Sequence, residues 1–434
     1  MESFLIWIAT FILIVIIILP YFLKFRKKQK QDEEKRLEAV RLGADKAIAQ
    51  HPQIDPYTCI GCGACVAACP EGQVLGIVTG KAVIINGLKC VGHGKCAEAC
   101  PVEGITIGLG DLSHREDIPF MTQNNETNIP GIYIAGELGG LSLIKNAINQ
   151  GSMVVDHIAS KLTERGLNDI FDLIIVGAGP AGLSAALASH KHNLKYLLID
   201  QQDAGGTVLQ YPRKKVVMTK PVALPLYGLL KQPEYSKEEL LDIWQNVQNN
   251  YSLNIRTGEK LVTVKRFNNH FKVSTDKNEY NAQKVILALG RRGTPRKLGV
   301  PGEEKPKVMY KLIDAESYQN EHLLVVGGGD SAIEAAMGLA RQPGNVVSLS
   351  YRKEKFFRIK TRNQERLTEL IHNNKIAVYL NSGVTDIGDK IVRMQTRDGT
   401  LELPNDYTFI FAGGEPPFKL LKQIGIRFGG ETEP

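Results

Sequence analysis

The sequence predicts an α/β protein with two doubly wound nucleotide-binding domains, preceded by a small cysteine-rich α+β domain and an N-terminal transmembrane helix. Three observations carry this expectation. The pattern strand, glycine turn, helix occurs twice, in DLIIVGAGPAGLSAALAS (Asp172 to Ser189) and HLLVVGGGDSAIEAAMGLA (His322 to Ala340), and each opens a nucleotide-binding unit. All 7 cysteines fall between Cys59 and Cys100, and the run from Phe4 to Leu23 carries no charge. With 434 residues, 43% of them hydrophobic, and 42 glycines, the chain can hold two or three domains with their own cores. A disordered or fibrous protein is excluded.

The apolar run FLIWIATFILIVIIILPYFL, at about 1.5 Å per helical residue, matches the ~30 Å hydrocarbon core of a bilayer. A cleaved signal peptide is the competing reading. The run is longer than the apolar region of such peptides, no Ala-x-Ala-like site follows it, and its cations come after it. Those cations, Lys24, Arg26, Lys27, Lys28 and Lys30, supply much of the net charge of +7 and by the positive-inside rule stay cytoplasmic. The expectation is a single-pass anchor in the cell membrane, residues 1–24, with the lipid bilayer as partner and the main domains in the cytoplasm; nucleic acid is not an expected partner. From Gln31 to Gln50 strong helix formers place Leu37, Val40, Ala44, Ala47 and Ile48 at roughly helical spacing. They predict a charged spacer helix within 25–54, stopped by Pro52 and Pro56.

Cytoplasmic exposure, close spacing and an odd count argue against disulfides. Cys59, Cys62, Cys65 and Cys69, followed by Pro70, have the spacing of bacterial ferredoxins, in which three thiolates wrap one cluster and the fourth, before proline, serves the other. Zinc is the rival, since Cys-x2-Cys also suits it, but the Cys-x3-Cys-Pro ending, met twice, favours iron and sulfur. In the second run Cys90 matches Cys59, Cys96 matches Cys65, Cys100 matches Cys69, and His93 stands where Cys62 would be. By the exchange rule Cys59, Cys62, Cys65 and Cys100 hold a first 4Fe-4S cluster, and Cys90, Cys96 and Cys69 a second. The fourth corner of the second stays open to three readings: His93 ligates, as histidines do in Rieske centres, the corner is open, or the cluster is 3Fe-4S.

In the first nucleotide unit Gly177, Gly179 and Gly182 follow a strand and open a helix, which sets a pyrophosphate against free backbone amides. Asp200 ends the next strand about 20 residues on, where a carboxylate can accept from a ribose hydroxyl. In the second unit Gly327 and Gly329 lead to a strand ending in Arg352 and Lys353, cations that suit a 2′-phosphate and favour NADPH over NADH.

GAGPAG (Gly177 to Gly182), GGT (Gly205 to Thr207), ALG (Ala288 to Gly290) and GGGDSAIEAA with the basic YRK resemble the low-molecular-weight thioredoxin reductases and the ferredoxin–NADP reductases of the same fold. The resemblance covers nearly all of 112–434. It implies FAD at Gly177, Gly179, Pro180, Ala181, Gly182, Gly205, Gly206 and Thr207, NADPH at Gly327, Gly329, Asp330, Ser331, Arg352 and Lys353, and a homodimer. Two departures matter. No cysteine follows Cys100, so the redox-active cysteine pair of thioredoxin reductases is missing and thiol–disulfide exchange on the protein is excluded. The segment with which that family closes its FAD domain appears instead upstream, as TNIPGIYIAGELGGLSLIKNAINQG (Thr127 to Gly151), with Gly136 and Glu137 toward the flavin and glutamate replacing aspartate. This implies a circularly permuted FAD domain.

The expected division is an anchor (1–24), spacer (25–54), ferredoxin-like domain (55–111), permuted segment (112–168), FAD domain (169–302), NADPH domain (303–404) and a return to the FAD domain (405–434). The expected activity is electron transfer among NADPH, FAD, the built-in clusters and an external electron carrier or redox protein, in either direction. The alternatives are reduction of a small disulfide or quinone at the flavin, and redox sensing without turnover. No side chain is singled out as a catalytic acid, base or nucleophile.

Overall fold

The computed structural model describes residues 2–110, 115–167, 169–218, 221–232 and 234–429, with backbone only at 2–5, 8–10 and 218. The junctions expected near 111–114 and 168 and the C-terminal residues 430–434 lie outside the described residues. The chain forms two compact units: one comprises residues 1–110 with the short segment Phe357–Thr361, the other the remainder.

The first unit begins with helix α1 (Glu2–Arg41), which runs through Pro20. From Phe11 to Leu23 its large apolar side chains are exposed. Further along, Phe25 packs on the core of the cysteine domain and Ala39 is buried. Asp32, also buried, accepts a hydrogen bond at Oδ2 from the amide of Ile77 at 3.0 Å. The later turns of α1, expected to begin a charged spacer, are thus docked on the cysteine domain, because a buried carboxylate there satisfies a strand amide. The helix also ends at Arg41, short of the expected Gln50. Gly43 turns to φ +66, and the amide of Ala44 closes back on the carbonyl of Ala39 at 2.7 Å, a left-handed C-terminal cap. Among the described residues no helix is long and apolar enough to cross a membrane. The expected span, Phe4 to Leu23, falls partly on residues whose side chains lie outside the described ones.

Strand β1 (His51–Ile54) takes in Pro52, which was expected to stop a helix, and pairs antiparallel with β4 (Ile105–Gly108). This two-stranded sheet has free edges, where a proline is tolerated. Between them lie helix α2 (Ala64–Ala68), the hairpin of β2 (Leu75–Val78) and β3 (Lys81–Ile84), and helix α3 (Lys95–Glu98). Gly63 before α2 and Gly94 before α3 both adopt left-handed backbone at helix N-caps, so the two cysteine runs repeat in structure as they do in sequence.

Two larger sheets build the second unit, one mixed and of 7 strands, the second wholly parallel. The 7-stranded sheet places β6 (Phe171–Val176) between β7 (Tyr196–Ile199) and the strand Glu279–Leu287, all parallel. The far side of Glu279–Leu287 is shared. Its first half pairs antiparallel with His270–Thr275, and its last residues, Val285 to Leu287, pair in parallel with β5 (Ile132–Ile134). β5, which precedes the first glycine turn in sequence, therefore lies inside the sheet. Helix α4 (Ile144–Lys161) packs against α5 (Pro180–Lys191), with Ile148, Val155 and Ile158 fully buried. Apolar clusters line both faces of this sheet, as parallel strands that read as continuous hydrophobic runs require. The wholly parallel sheet is 5-stranded: Val308–Met309, Tyr407–Ile410, His322–Val326, Val346–Tyr351 and Ile376–Leu380.

Candidate cofactor sites

The first glycine turn is built by close backbone contact. Gly177 adopts φ +109, and a Cβ there would lie 2.4 Å from the carbonyl oxygen of Ala288 in the ALG stretch. A Cβ on Gly182 would lie 1.8 Å from the carbonyl oxygen of Gly177. Gly179 is the N-cap of α5, and Pro180 fills the first helical position, where its missing N–H costs nothing. The GGT stretch packs on this turn: the Gly205 amide donates to the Ala178 carbonyl at 2.8 Å, and a Cβ on Gly206 would come within 2.7 Å of the Gly179 Cα. Thr207 follows in the same short helical turn. Asp200, expected at a ribose, braces the turn directly. Its Oδ2 accepts from Ala178 N at 2.6 Å and its Oδ1 from Gln202 N at 2.8 Å, while burial pushes the carboxyl up despite those bonds. Such a glycine turn at a helix N-terminus, where the first amides have no intrahelical acceptor, fits a dinucleotide pyrophosphate.

The upstream segment reaches the same place. A Cβ on Gly136, at φ +87, would meet the Ala181 Cβ at 3.1 Å, and the Gly136 amide donates to Gln150 Oε1 at 2.8 Å. Glu137, next along, is solvent-accessible but hemmed in on its protein side. That crowding raises its carboxyl above the ordinary value, against the pull of Arg291. Arg291 in turn bonds Asp117 Oδ2 at 2.7 Å. Tyr211 is pushed up by its surroundings and then by Glu137, and Arg292 is pushed down by burial and pulled up by Tyr211. Sequence reading missed Tyr211, Arg291 and Arg292 as companions of Glu137. The only available signal was the Arg-Arg pair just after ALG.

In the second turn a Cβ on Gly327 would lie 2.6 Å from the carbonyl oxygen of Phe411, and one on Gly328 would overlap the Tyr351 ring. Gly329 is the N-cap of helix Asp330–Ala340. Asp330 Oδ1 accepts from Asn363 Nδ2 at 2.7 Å, and Ser331 is exposed. Arg352, exposed, and Lys353, half-buried, follow immediately on Val346–Tyr351, the strand next to the glycine turn.

In the first unit Cys69, Cys90, Cys96, His93 and Glu71 line a cavity of about 280 Å³, open mouth included. Among the described residues no three of His, Cys, Asp and Glu converge closely enough to hold a single metal ion. The thiols sort into sets by their mutual effects. Cys65, pushed up to about 11 by burial, feels Cys59, Cys62 and, more weakly, Cys96; burial also raises Cys90 and Cys96, each of which feels Cys69. Cys69 lines the cavity together with Cys90 and Cys96 of the second run. Cys100 packs on the shared core of this domain. The backbone approaches closely here too: a Cβ on Gly61 would lie 2.0 Å from the Gly80 carbonyl oxygen, and one on Gly92 would lie 2.2 Å from the side chain of Gln50. Thiols around a cavity, Cys96 buried and Cys69 and Cys90 partly so, carried by glycine-rich loops, fit iron–sulfur clusters.

The family model described as pyridine nucleotide-disulphide oxidoreductase matches residues 174–434. The chain belongs to that family. A 4Fe-4S dicluster domain matches residues 51–101. Family and domain together make the chain a pyridine-nucleotide-dependent oxidoreductase of flavin and iron–sulfur type. Its curated relatives include a ferredoxin–NADP reductase from Ignicoccus hospitalis, 28% identical over 60% of this chain and 83% of the relative. A thioredoxin reductase from Treponema pallidum is 30% identical over 58% of this chain and 79% of the relative. Among solved structures, bacillithiol disulfide reductase Bdr (YpdA) from Staphylococcus aureus is similar at TM-score 0.53 and 27% identity, covering 59% of this chain and 81% of that one. The family match begins within β6, so β5 and α4 lie upstream of it.

Proposed function

We propose that this oxidoreductase moves electrons between NADPH and an external redox protein by way of FAD and two iron–sulfur clusters of its own. The observation that carries the reading is the presence in one chain of two glycine turns built for dinucleotides and a cysteine cavity whose second set of thiols takes Cys69 from the first run. The Gly177–Gly182 turn with Asp200 and Glu137 would hold FAD, and the Gly327–Gly329 turn with Asp330, Ser331, Arg352 and Lys353 would hold NADPH. Bound flavin supplies the exchange between two-electron and one-electron transfer. The chain's own part is to position: the turns present amides to phosphates, and the loops hold the thiols at set spacing, with Cys65 and Cys96 buried. The β5–α4 segment, seated in the sheet beside Glu279–Leu287 although it precedes the first turn in sequence, supports a circularly permuted FAD domain.

The likeness to a bacillithiol disulfide reductase favours a second reading, reduction of a small disulfide at the flavin. Steady-state assays of wild type, Cys62→Ser and Cys96→Ser with NADPH and either a viologen or a low-molecular-weight disulfide separate the two. We expect viologen turnover to fall at least tenfold in the variants. Full disulfide turnover in all three proteins, without viologen activity in any, would establish the second reading. NADH run alongside NADPH tests the role of the Arg352 and Lys353 pair.

The exposed apolar face from Phe11 to Leu23, followed by the cations Lys24 to Lys30, supports anchorage of α1 in a membrane with the remaining domains on the cytoplasmic side. The full chain is expected to sediment with vesicles and to resist carbonate, whereas a chain starting at Lys30 stays in the supernatant. Equal partitioning of the two would sink the anchor.

A further inference from the structure

The second cluster site, short of one thiolate, has beside it a carboxylate from the first cysteine run that has no counterpart in the second run. In the internal repeat Cys69-Pro70-Glu71 corresponds to Cys100-Pro101-Val102, so the position after the proline is acidic in one half and apolar in the other. Glu71 lines the cavity with Cys69, Cys90 and Cys96, and it is 7% exposed. A carboxylate so buried needs cationic compensation. One oxygen, Oε1, lies 3.3 Å from the ammonium of Lys360, which belongs to the same compact unit, and a carboxylate has two oxygens able to ligate. The carboxylate is also near two of the three thiols: after burial and Cys69, it contributes to raising Cys90, and it contributes likewise to raising Cys69.

His93 lines the same cavity, but its Nδ1 accepts the Lys95 amide at 3.2 Å. Ligation by either nitrogen would break that bond, through Nδ1 directly and through Nε2 by moving the ring proton to Nδ1.

We propose that a carboxylate oxygen of Glu71, not the imidazole of His93, closes the fourth corner of the second cluster. The inference rests on the two-cluster reading above. A carboxylate preserves the negative charge of the thiolate it replaces. It is a harder ligand, and iron–sulfur sites favour soft thiolates, so the iron at that corner is the one held least tightly.

The test uses the full chain, purified anaerobically as wild type, Glu71→Gln, Glu71→Cys and His93→Ala, with bound flavin confirming that each folds. Iron and sulfide are counted, and EPR spectra are taken after mild oxidation and after reduction. Glu71→Gln is expected to lose one iron per chain and to show the signal of an oxidised three-iron cluster. Glu71→Cys should keep the wild-type iron and lower the potential of the second cluster, and His93→Ala should match wild type in iron and spectrum. Loss of the iron in His93→Ala with retention in Glu71→Gln assigns the corner to histidine and overturns the proposal. Retention in both variants leaves the corner without a protein ligand and overturns it equally. Wild-type iron sufficient for one cluster only, unchanged by Cys96→Ser, would instead remove the two-cluster reading on which the inference stands.

Discussion

Gly182→Ala is expected to yield a chain that folds poorly and purifies without flavin. The added Cβ would sit 1.8 Å from the carbonyl oxygen of Gly177, and both atoms are fixed by backbone, so no side-chain rotation relieves the overlap. Relief requires the turn to open or α5 to move along β6, and α5 is buried along most of its length, from Ala181 to Ser189. Overpacking of this kind costs about 1–3 kcal/mol and more where the obstacle is rigid. Opening the turn would also disturb the Ala178 amide, which Asp200 holds at 2.6 Å, and the Ala178 carbonyl, which the Gly205 amide holds at 2.8 Å. Flavin absorbance per chain and a thermal melt measure the two effects. Gly338→Ala is the control. Its helical position meets only the Ala315 Cβ at 3.5 Å, and alanine's better helix propensity should stabilise the chain by up to about 1 kcal/mol. A Gly182→Ala protein with full flavin and an unchanged melt would show that the turn is not as tight as described.

The two glycine turns were legible because strand, glycine and helix each leave a separate mark, and the marks agree: continuous apolar runs at Leu173–Val176 and Leu323–Val326, then glycines whose missing side chains are filled by Ala288 and Phe411 backbone. The expected exchange of Cys69 rests on the spacing of the thiols, itself a geometric constraint, and the structure sets Cys69, Cys90 and Cys96 around one cavity. Less was legible wherever tertiary contact overrode a local pattern. Helix formers continue past Arg41, yet Gly43 and the burial of Ala44 end the helix there. Asp32 looks like one charge in a solvated run until Ile77 is brought to it. Pro52 reads as a breaker but lies in β1, on a sheet with an open edge. Glu71 gave no signal of its own, because its position matters only beside thiols that arrive from Cys90 and Cys96.

Gly151→Val tests whether the segment upstream of the first glycine turn is an integral part of the flavin-binding half, and a loss of stability of about 3 kcal/mol or more is expected. Gly151 lies in α4 where that helix crosses α5. A Cβ there would be 2.1 Å from the carbonyl oxygen of Ala181 and 3.1 Å from the Ala185 amide, so glycine is what lets the two helices touch backbone to backbone. Ser184 fastens the same crossing, its hydroxyl donating to the Ile148 carbonyl at 2.7 Å with both residues fully buried. A valine would force α4 outward and draw with it β5, which is held to Glu279–Leu287 along only the three residues Ile132, Tyr133 and Ile134. Gly136 and Glu137, which follow β5, would then be drawn away from Ala181. Flavin affinity should therefore fall together with the melting temperature, and the two losses should track each other across Gly151→Ala, Gly151→Ser and Gly151→Val as the side chain grows. If stability falls while flavin affinity is untouched, α4 supports the sheet but does not shape the site, and Glu137 has no part in holding the cofactor.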